Sequence, residues 1–461
     1  MQRLLLALKL EKVNDTETIV NKLIMLFLIM AITIPAYILY SDSPYSIIMD
    51  KNLCQGKVVS LYICSIILAF LCVFKLFKFK DKIDIELIKP VLPVIFFLII
   101  VWVATALSPF MSQALWGQAD FKEGAFTLTC YCIVFISTYL ICRDELTFTK
   151  IITIIFAAAV LLYIFPLLKI FFPSIPSASI NWGGTFLHRN YMASYYTLVF
   201  LPAVAGFICS KSRKTTAIFY FISCIFFSVF ILNHTRSSWI GNTIGLILLI
   251  AFMRKSIKLK KIGTLLVSFF IIVVLINFLN NGLILSRFDS MINDVKVLTN
   301  NESNKALVGT TRLEIWRLAM QQVPKHFWFG IGPDMFEHSF PQDKYQENVN
   351  DKKYSIANAH DEYLNLLINI GVFGLLSYLW LIASIIKKFF KLYRKEKIDC
   401  NNSYLFLGVF CGWCAYLIQA LFNNSVVPTS PTLWTIMGML SAILYSSQVC
   451  RENINSNSGI L

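Results

Sequence analysis

The sequence predicts an all-α polytopic membrane protein with about 12 transmembrane helices and one large extracytoplasmic, mostly helical loop domain between helices 9 and 10. Three observations predict it. Hydrophobic residues make up 57% of the 461 and charged residues only 15%, where soluble domains hold roughly 45–50% and about 25%. Apolar runs approaching the ~20 residues needed to cross the hydrocarbon core of a bilayer recur along nearly the whole chain. The net charge of +15 falls on one side of the alternating topology those runs define, as the positive-inside rule requires.

In order, the predicted spans lie near residues 22–41, 58–76, 90–108, 125–142, 151–172, 191–210, 215–233, 237–253, 262–280, 364–386, 404–423 and 432–449. The joins at 211–214 and 234–236 are short hairpins, whereas 281–363 is one long interruption of mixed composition. The chain thus divides into an N-terminal transmembrane bundle (1–280), an extracytoplasmic loop domain (281–363), C-terminal transmembrane helices (364–450) and a cytoplasmic tail (451–461). The apolar run at 4–8 is too short for a signal peptide and meets Lys9, Glu11 and Lys12 instead of a small-residue cleavage site. Both termini are therefore expected inside. On that side fall 26 of the 41 basic and 11 of the 26 acidic residues, so it carries the whole net charge. The basic loops read as topogenic, and no nucleic-acid partner is expected.

Of twelve cysteines only Cys54 is placed outside, so no disulfide framework is expected in the loop domain. Cys411 and Cys414 have CxxC spacing inside an apolar span, which reads as packing, not zinc or redox chemistry. All acidic residues fall in loops or at span ends, and no internal repeat is visible. Both points disfavour an ion-coupled carrier, which keeps intramembrane acids for its ions.

Three polar clusters converge on the external face. The first runs from Trp182, Gly183 and Gly184 to His188, Arg189 and Asn190. It is either a turn with Asn190 as helix cap or a loop that approaches a polar head group closely. The second is the turn Asn233, His234, Thr235, Arg236, Ser237, Ser238, Trp239. Its Arg offers a rigid fork of donors suited to phosphate, or else snorkels to lipid head groups beside a belt Trp.

The third cluster is the long segment itself. Gly309, Thr310, Thr311 and Arg312 open a helix to Gln322, with Leu313, Trp316, Ala319 and Met320 as its apolar face. An aromatic and glycine turn follows, from Phe327 through Trp328, Gly330, Gly332 and Pro333. Asn358, Ala359, His360, Asp361, Glu362 and Tyr363 then lead into the tenth span. His360 titrates near neutrality, so it suits proton transfer at the membrane edge, with Asp361 and Glu362 expected to orient or tune it. The alternative is a helix-entry His with capping acids. Trp182, Trp316, Phe327 and Trp328 are suited to stacking on sugars, although a buried core is the expected role for most of them.

The order of these elements is a Gly and Asn loop, a Thr-Arg turn, a loop with Arg and Trp and Gly-x-Gly, then a terminal His motif with Leu364, Leu366, Leu367, Gly371, Gly374 and Leu375. Over residues 180–380 this resembles the O-antigen ligase and polysaccharide polymerase superfamily. The resemblance implies a glycosyltransferase of the bacterial cytoplasmic membrane, working on its extracytoplasmic face in cell envelope biogenesis. It implies transfer of a glycan from undecaprenyl diphosphate to a glycan, lipid-glycan or protein acceptor, with no cofactor and no metal. Catalytic roles carry over to His360, Arg312 and Arg236, and substrate contacts are expected from Asn190, Arg189, His188, Thr235, Trp316 and Asp361. His360-Asp361 stands where the family has His-Asn, and Asn233-His234-Thr235-Arg236 where it has Thr-x-Ser-Arg. Transport, as a lipid-linked oligosaccharide flippase, is the competing class, and a sensor or scaffold using the loop domain is a third.

Overall fold

In lipid every backbone donor and acceptor must be satisfied within the segment, which leaves helix as the outcome for isolated apolar runs of this length. A computed structural model describes residues 15–37, 55–79, 88–171, 185–186, 188–254, 259–299, 311–349, 355–395 and 404–457. Trp182, Gly183, Gly184, Gly309, Thr310 and Cys54 lie outside the described residues.

The first half comprises α1 (Asp15–Tyr37), α2 (Gln55–Lys78), α3 (Leu92–Leu107), α4 (Met111–Trp116), α5 (Ala125–Ile141), α6 (Glu145–Phe171), α7 (Arg189–Cys209), α8 (Arg213–Asn233), α9 (Arg236–Met253) and α10 (Leu259–Leu279). Beyond it come α11 (Leu283–Thr299), α12 (Arg312–Met320), α13 (Phe336–Ser339), α14 (Gln342–Val349), α15 (Glu362–Arg394), α16 (Tyr404–Gln419) and α17 (Ser430–Asn457). Among the described residues nine helices have the length and apolar character to cross a membrane, and Leu92–Leu107 and Ala125–Ile141 are shorter apolar helices. No strand occurs among these residues.

The bundle is organised around α7, which is buried along nearly its whole length and packs against α8, α9 and α16. Small residues set those approaches. A Cβ on Gly408 or Gly412 of α16 would press on the α7 backbone at Pro202 and Leu198, and one on Gly245 of α9 would meet Leu201, Ala415 and the Cys411 carbonyl. Without a hydrophobic driving force between helices in lipid, this backbone proximity supplies the dispersion contact that holds them together. Cys411 is fully buried in this seam.

The 281–363 segment begins with α11, a 17-residue helix that the sequence pattern did not mark. The rest of the segment forms its own small core, in which Ile315, Leu318, Ala319, Ile331, Met335 and Phe336 pack on Ile368 and Leu364 of α15. The buried face of α12 is therefore rotated from the predicted one. Ile315 and Leu318 point inward and Met320 is 53% exposed, because Glu314 is also drawn in, paired with Arg317 and with Asn348 of α14. Phe327 and Trp328 are exposed instead of forming core, with Trp328 stacked on Phe373 of α15 at 5.4 Å between centroids.

A break in α15 docks this domain. Gly371 adopts φ 70 and ψ −175 within the helix, which frees the Ile368 and Asn369 carbonyls to accept from Ile331 N and Gly332 N, each at 2.9 Å. The reciprocal bond runs from Val372 N to Phe327 O at 2.8 Å.

Candidate active site

Three turns present the predicted site residues, and each turn contains a residue with left-handed backbone. His234 (φ 51) caps the end of α8 and is followed by Thr235 and Arg236. Thr311 (φ 67) directly precedes Arg312, and His360 (φ 50) precedes the α15 cap. Non-glycine residues adopt this conformation at a cost of order 1–3 kcal/mol, and they concentrate where a side chain must be aimed.

A further loop carries His188, Arg189 and Asn190. Here the structure corrects the expected cap: His188, not Asn190, caps α7, its Nδ1 accepting from Asn190 N at 3.2 Å. Asn190 sits one residue inside the helix, its Oδ1 facing Thr235 Oγ1 at 3.4 Å and its carbonyl accepting from Asn423 Nδ2 at 3.2 Å. The loop is stapled from beneath by Lys57, a fully buried lysine whose Nζ donates to Thr185 O (2.9 Å) and Pro35 O (2.8 Å). A buried ammonium persists only where backbone oxygens replace its water.

The Arg312 and His360 turns lock together. Trp316 of α12 donates Nε1–H to Ala359 O at 3.0 Å, and His360 N donates to Asn358 Oδ1 at 3.1 Å. The expected tuning of His360 by its acidic neighbours is not what the structure has. Asp361 Oδ1 caps α15, accepting from Tyr363 N and Leu364 N, both at 2.9 Å. Glu362 is buried and accepts from Tyr378 Oη (2.8 Å) and Tyr416 Oη (3.0 Å). A helix start leaves its first N–H groups unpaired, and their demand takes Asp361.

Arg236, Arg312 and His360 are nevertheless brought into one neighbourhood. Burial pushes the His360 imidazole down to about 4, and the charges of Arg312 and His188 add to that effect. Arg312 is itself lowered by burial and by Arg236. His188 falls to about 4 through desolvation, Arg189 and Arg312. His360 is therefore neutral at pH 7, and its buried Nδ1 has no hydrogen-bond partner. Arg287 on α11 acts electrostatically on both Arg189 and His234, and Ser290 of the same helix accepts from Arg236 Nη1 at 3.3 Å. Four arginines and three of the five histidines thus gather here. Arg287 was missed because nothing in its own segment marks it. The available signal was the absence of any Asp or Glu between Glu145 and Asp289, which leaves basic side chains along that stretch without local acidic partners.

Beside the basic cluster lies a small cavity of about 70 Å³ in which the acids and amides Glu123, Asp334, Asn358, Glu362, Asn369 and Asn424 meet a largely aromatic and aliphatic wall. Asp334 Oδ2 accepts from Gln118 N (2.7 Å) and Glu123 N (3.2 Å), and burial raises its carboxyl to about 7. Burial also holds Glu123 well above the usual carboxylate range. The volume suits about two waters. Tyr191, which faces Asn358 and feels the charges of both Arg312 and Glu123, stands between the basic and acidic regions. Among the described residues no group of three or more His, Cys, Asp or Glu is disposed to hold a metal ion.

Such an arrangement suits one kind of chemistry, in which guanidinium forks stabilise an anionic group while a neutral, unpartnered imidazole accepts a proton beside it. No curated protein and no solved structure matches the chain. Residues 219–379 match the family model described as O-Antigen ligase, a stretch that contains Arg236, Arg312 and His360.

Proposed function

We propose that the protein is a membrane glycosyltransferase of the O-antigen ligase and polymerase type that moves a glycan from undecaprenyl diphosphate to an acceptor hydroxyl. The observation that carries the reading is the electrostatic coupling of His360 to Arg312 and of Arg312 to Arg236, which unites three residues far apart in the chain. In this reading all twelve apolar segments, the two shorter ones included, cross the bacterial cytoplasmic membrane. Residues 281–363 and the basic cluster then face the extracytoplasmic side, where the lipid-linked donor presents its head group.

The acceptor oxygen attacks the anomeric carbon, and His360 takes its proton. The bond from that carbon to the diphosphate breaks with its electron pair, so Arg236 and Arg312 meet negative charge growing on the leaving group. A direct displacement inverts the anomeric centre. Burial and the positive charge of Arg312 together lower the affinity of His360 for a proton. Bound diphosphate offsets the positive charges that depress it and strengthens the base when substrate is present. Arginine stabilisation makes a divalent metal unnecessary for this step. His188, Arg189, Asn190, Thr235 and Trp316 line the approach of the two substrates, and Asp361 acts through its cap on the His360 turn.

Reconstitution with a carrier-linked repeat unit, with and without acceptor and EDTA, tests the reading. Glycan transfer that persists in EDTA and disappears in His360→Ala and Arg312→Ala supports it. A ladder of products assigns polymerisation, and a single transfer assigns ligation. Movement of the lipid across the vesicle with no new glycosidic bond would replace it with a flippase.

A further inference from the structure

At the opposite end of α7 from the arginine cluster lies a cavity of about 840 Å³, lined by Phe207, Lys211, Arg213, Tyr220, Lys261 and Thr264 among others. The 21 residues of α7 rise about 30 Å, the thickness of a hydrocarbon core, so the two regions sit at opposite membrane faces. The cavity opens where the C-terminal end of α7 and the N-terminal ends of α8 and α10 meet. Its lining holds three basic residues and no acid, and neither α8 nor α10 has an acidic residue in its first turn.

Lys261 shows that the site is built. Its Nζ donates to the carbonyls of Phe207 (2.7 Å), Ile208 (3.1 Å) and Ser210 (3.0 Å), which closes the end of α7 and fixes an ammonium in the cavity wall. Lys211 and Arg213 are exposed beside it. Below them the walls turn apolar, with Phe207 and Tyr220 packed at 5.5 Å between ring centroids. Positive charge at the rim over an aromatic wall, at the depth of a membrane interface, matches a molecule with an anionic head and hydrocarbon tails.

We propose that this cavity binds an anionic phospholipid of the adjoining leaflet, with Lys211 and Arg213 on the headgroup phosphate and the acyl chains running along Phe207 and Tyr220. The inference does not depend on the glycosyltransferase reading. The test is native mass spectrometry of the full-length protein released from detergent with phosphatidylglycerol or phosphatidylcholine of matched chains. It compares wild type with the Lys211→Gln/Arg213→Gln variant, whose altered side chains are both on the surface. Wild type is expected to retain phosphatidylglycerol in clear preference to phosphatidylcholine. The double variant is expected to bind it about twenty-five-fold more weakly, a fivefold factor for each basic side chain, with an unchanged melting temperature. Equal retention of the two lipids, an unaltered preference in the variant, or displacement of phosphatidylglycerol by millimolar inorganic phosphate would overturn the assignment.

Discussion

Gly330 and Gly371 meet backbone to backbone: a Cβ on Gly330 would collide with the Asn369–Ile370 peptide, and one on Gly371 with the Trp328–Phe329 peptide. Both residues also have positive φ, at 75 and 70. This contact fastens the loop domain to the break in α15, whose N-terminal turn carries the His360 motif. Gly371→Ala is expected to lower stability by at least about 2 kcal/mol, from left-handed strain plus the collision. The measurement is the melting temperature in detergent, and an unchanged value would remove the proposed docking role.

His360→Ala is expected to insert and melt like wild type yet lose about 10²–10⁴ in kcat, the usual contribution of a positioned proton acceptor. Carrier-linked glycan should accumulate in cells. Polymer or ligated product at wild-type levels would eliminate His360 as the base.

For the guanidinium pair, Arg312→Lys is informative because it keeps the charge and discards the fork. It and Arg236→Gln are each expected to reduce kcat about 10²–10³-fold, in line with losing one donor to a developing anion. Arg317→Gln, on the same helix as Arg312 but paired with Glu314, serves as the control and should leave kcat near wild type.

The pH response follows from the signs of the shifts. His360 and His188 fall to about 4 in the folded protein against an ordinary value near 6.5. The unfolded chain therefore binds more protons between those values, and stability is fully present above about 6.5 and drains away as pH falls toward 4. Asp334, raised to about 7, works in the opposite sense: its contribution is largest below its unfolded value near 4 and is lost as pH rises through 7. Melting curves across pH 4–8 should thus show a loss on the acid side that His360→Gln reduces, and a loss on the neutral side that Asp334→Asn reduces, with buried Glu123 contributing the same sign. In the proposed mechanism the acid limb of kcat/KM should lie near pH 4 and that of kcat higher, because a bound diphosphate would restore the proton affinity of His360.

Glu362→Ala should leave the buried hydroxyls of Tyr378 and Tyr416 without their acceptor, at about 1–3 kcal/mol each. Glu362→Gln keeps one acceptor oxygen and is expected to cost less. Comparing the two melting temperatures checks this, and equal losses would argue against the hydrogen bonds as the source.

The parts legible from sequence were those written in local chemistry. Apolar run length marks the helices, and an Arg or His beside a turn marks a candidate for the site. What escaped depended on which neighbour wins a side chain. Asp361 lay beside His360 in sequence, but the unpaired amides of α15 claimed it. Ile315 displaced Leu313 and Met320 from the core because Glu314 had partners on both sides. Arg287 and the acid-lined cavity involve residues from α11, the turn before α5 and the Pro333–Asp334 turn, whose meeting is a property of packing alone.

The positive φ at His234, Thr311 and His360 carries a consequence for engineering. Glycine tolerates that torsion freely, so His234→Gly and Thr311→Gly relax the backbone where the side chain being removed is not the one assigned to chemistry. The same change at His360 relieves a similar tension while erasing the proposed base. The first two positions are thus natural places to look for a sturdier protein, and at the third the proposed chemistry gives a reason for a less comfortable chain.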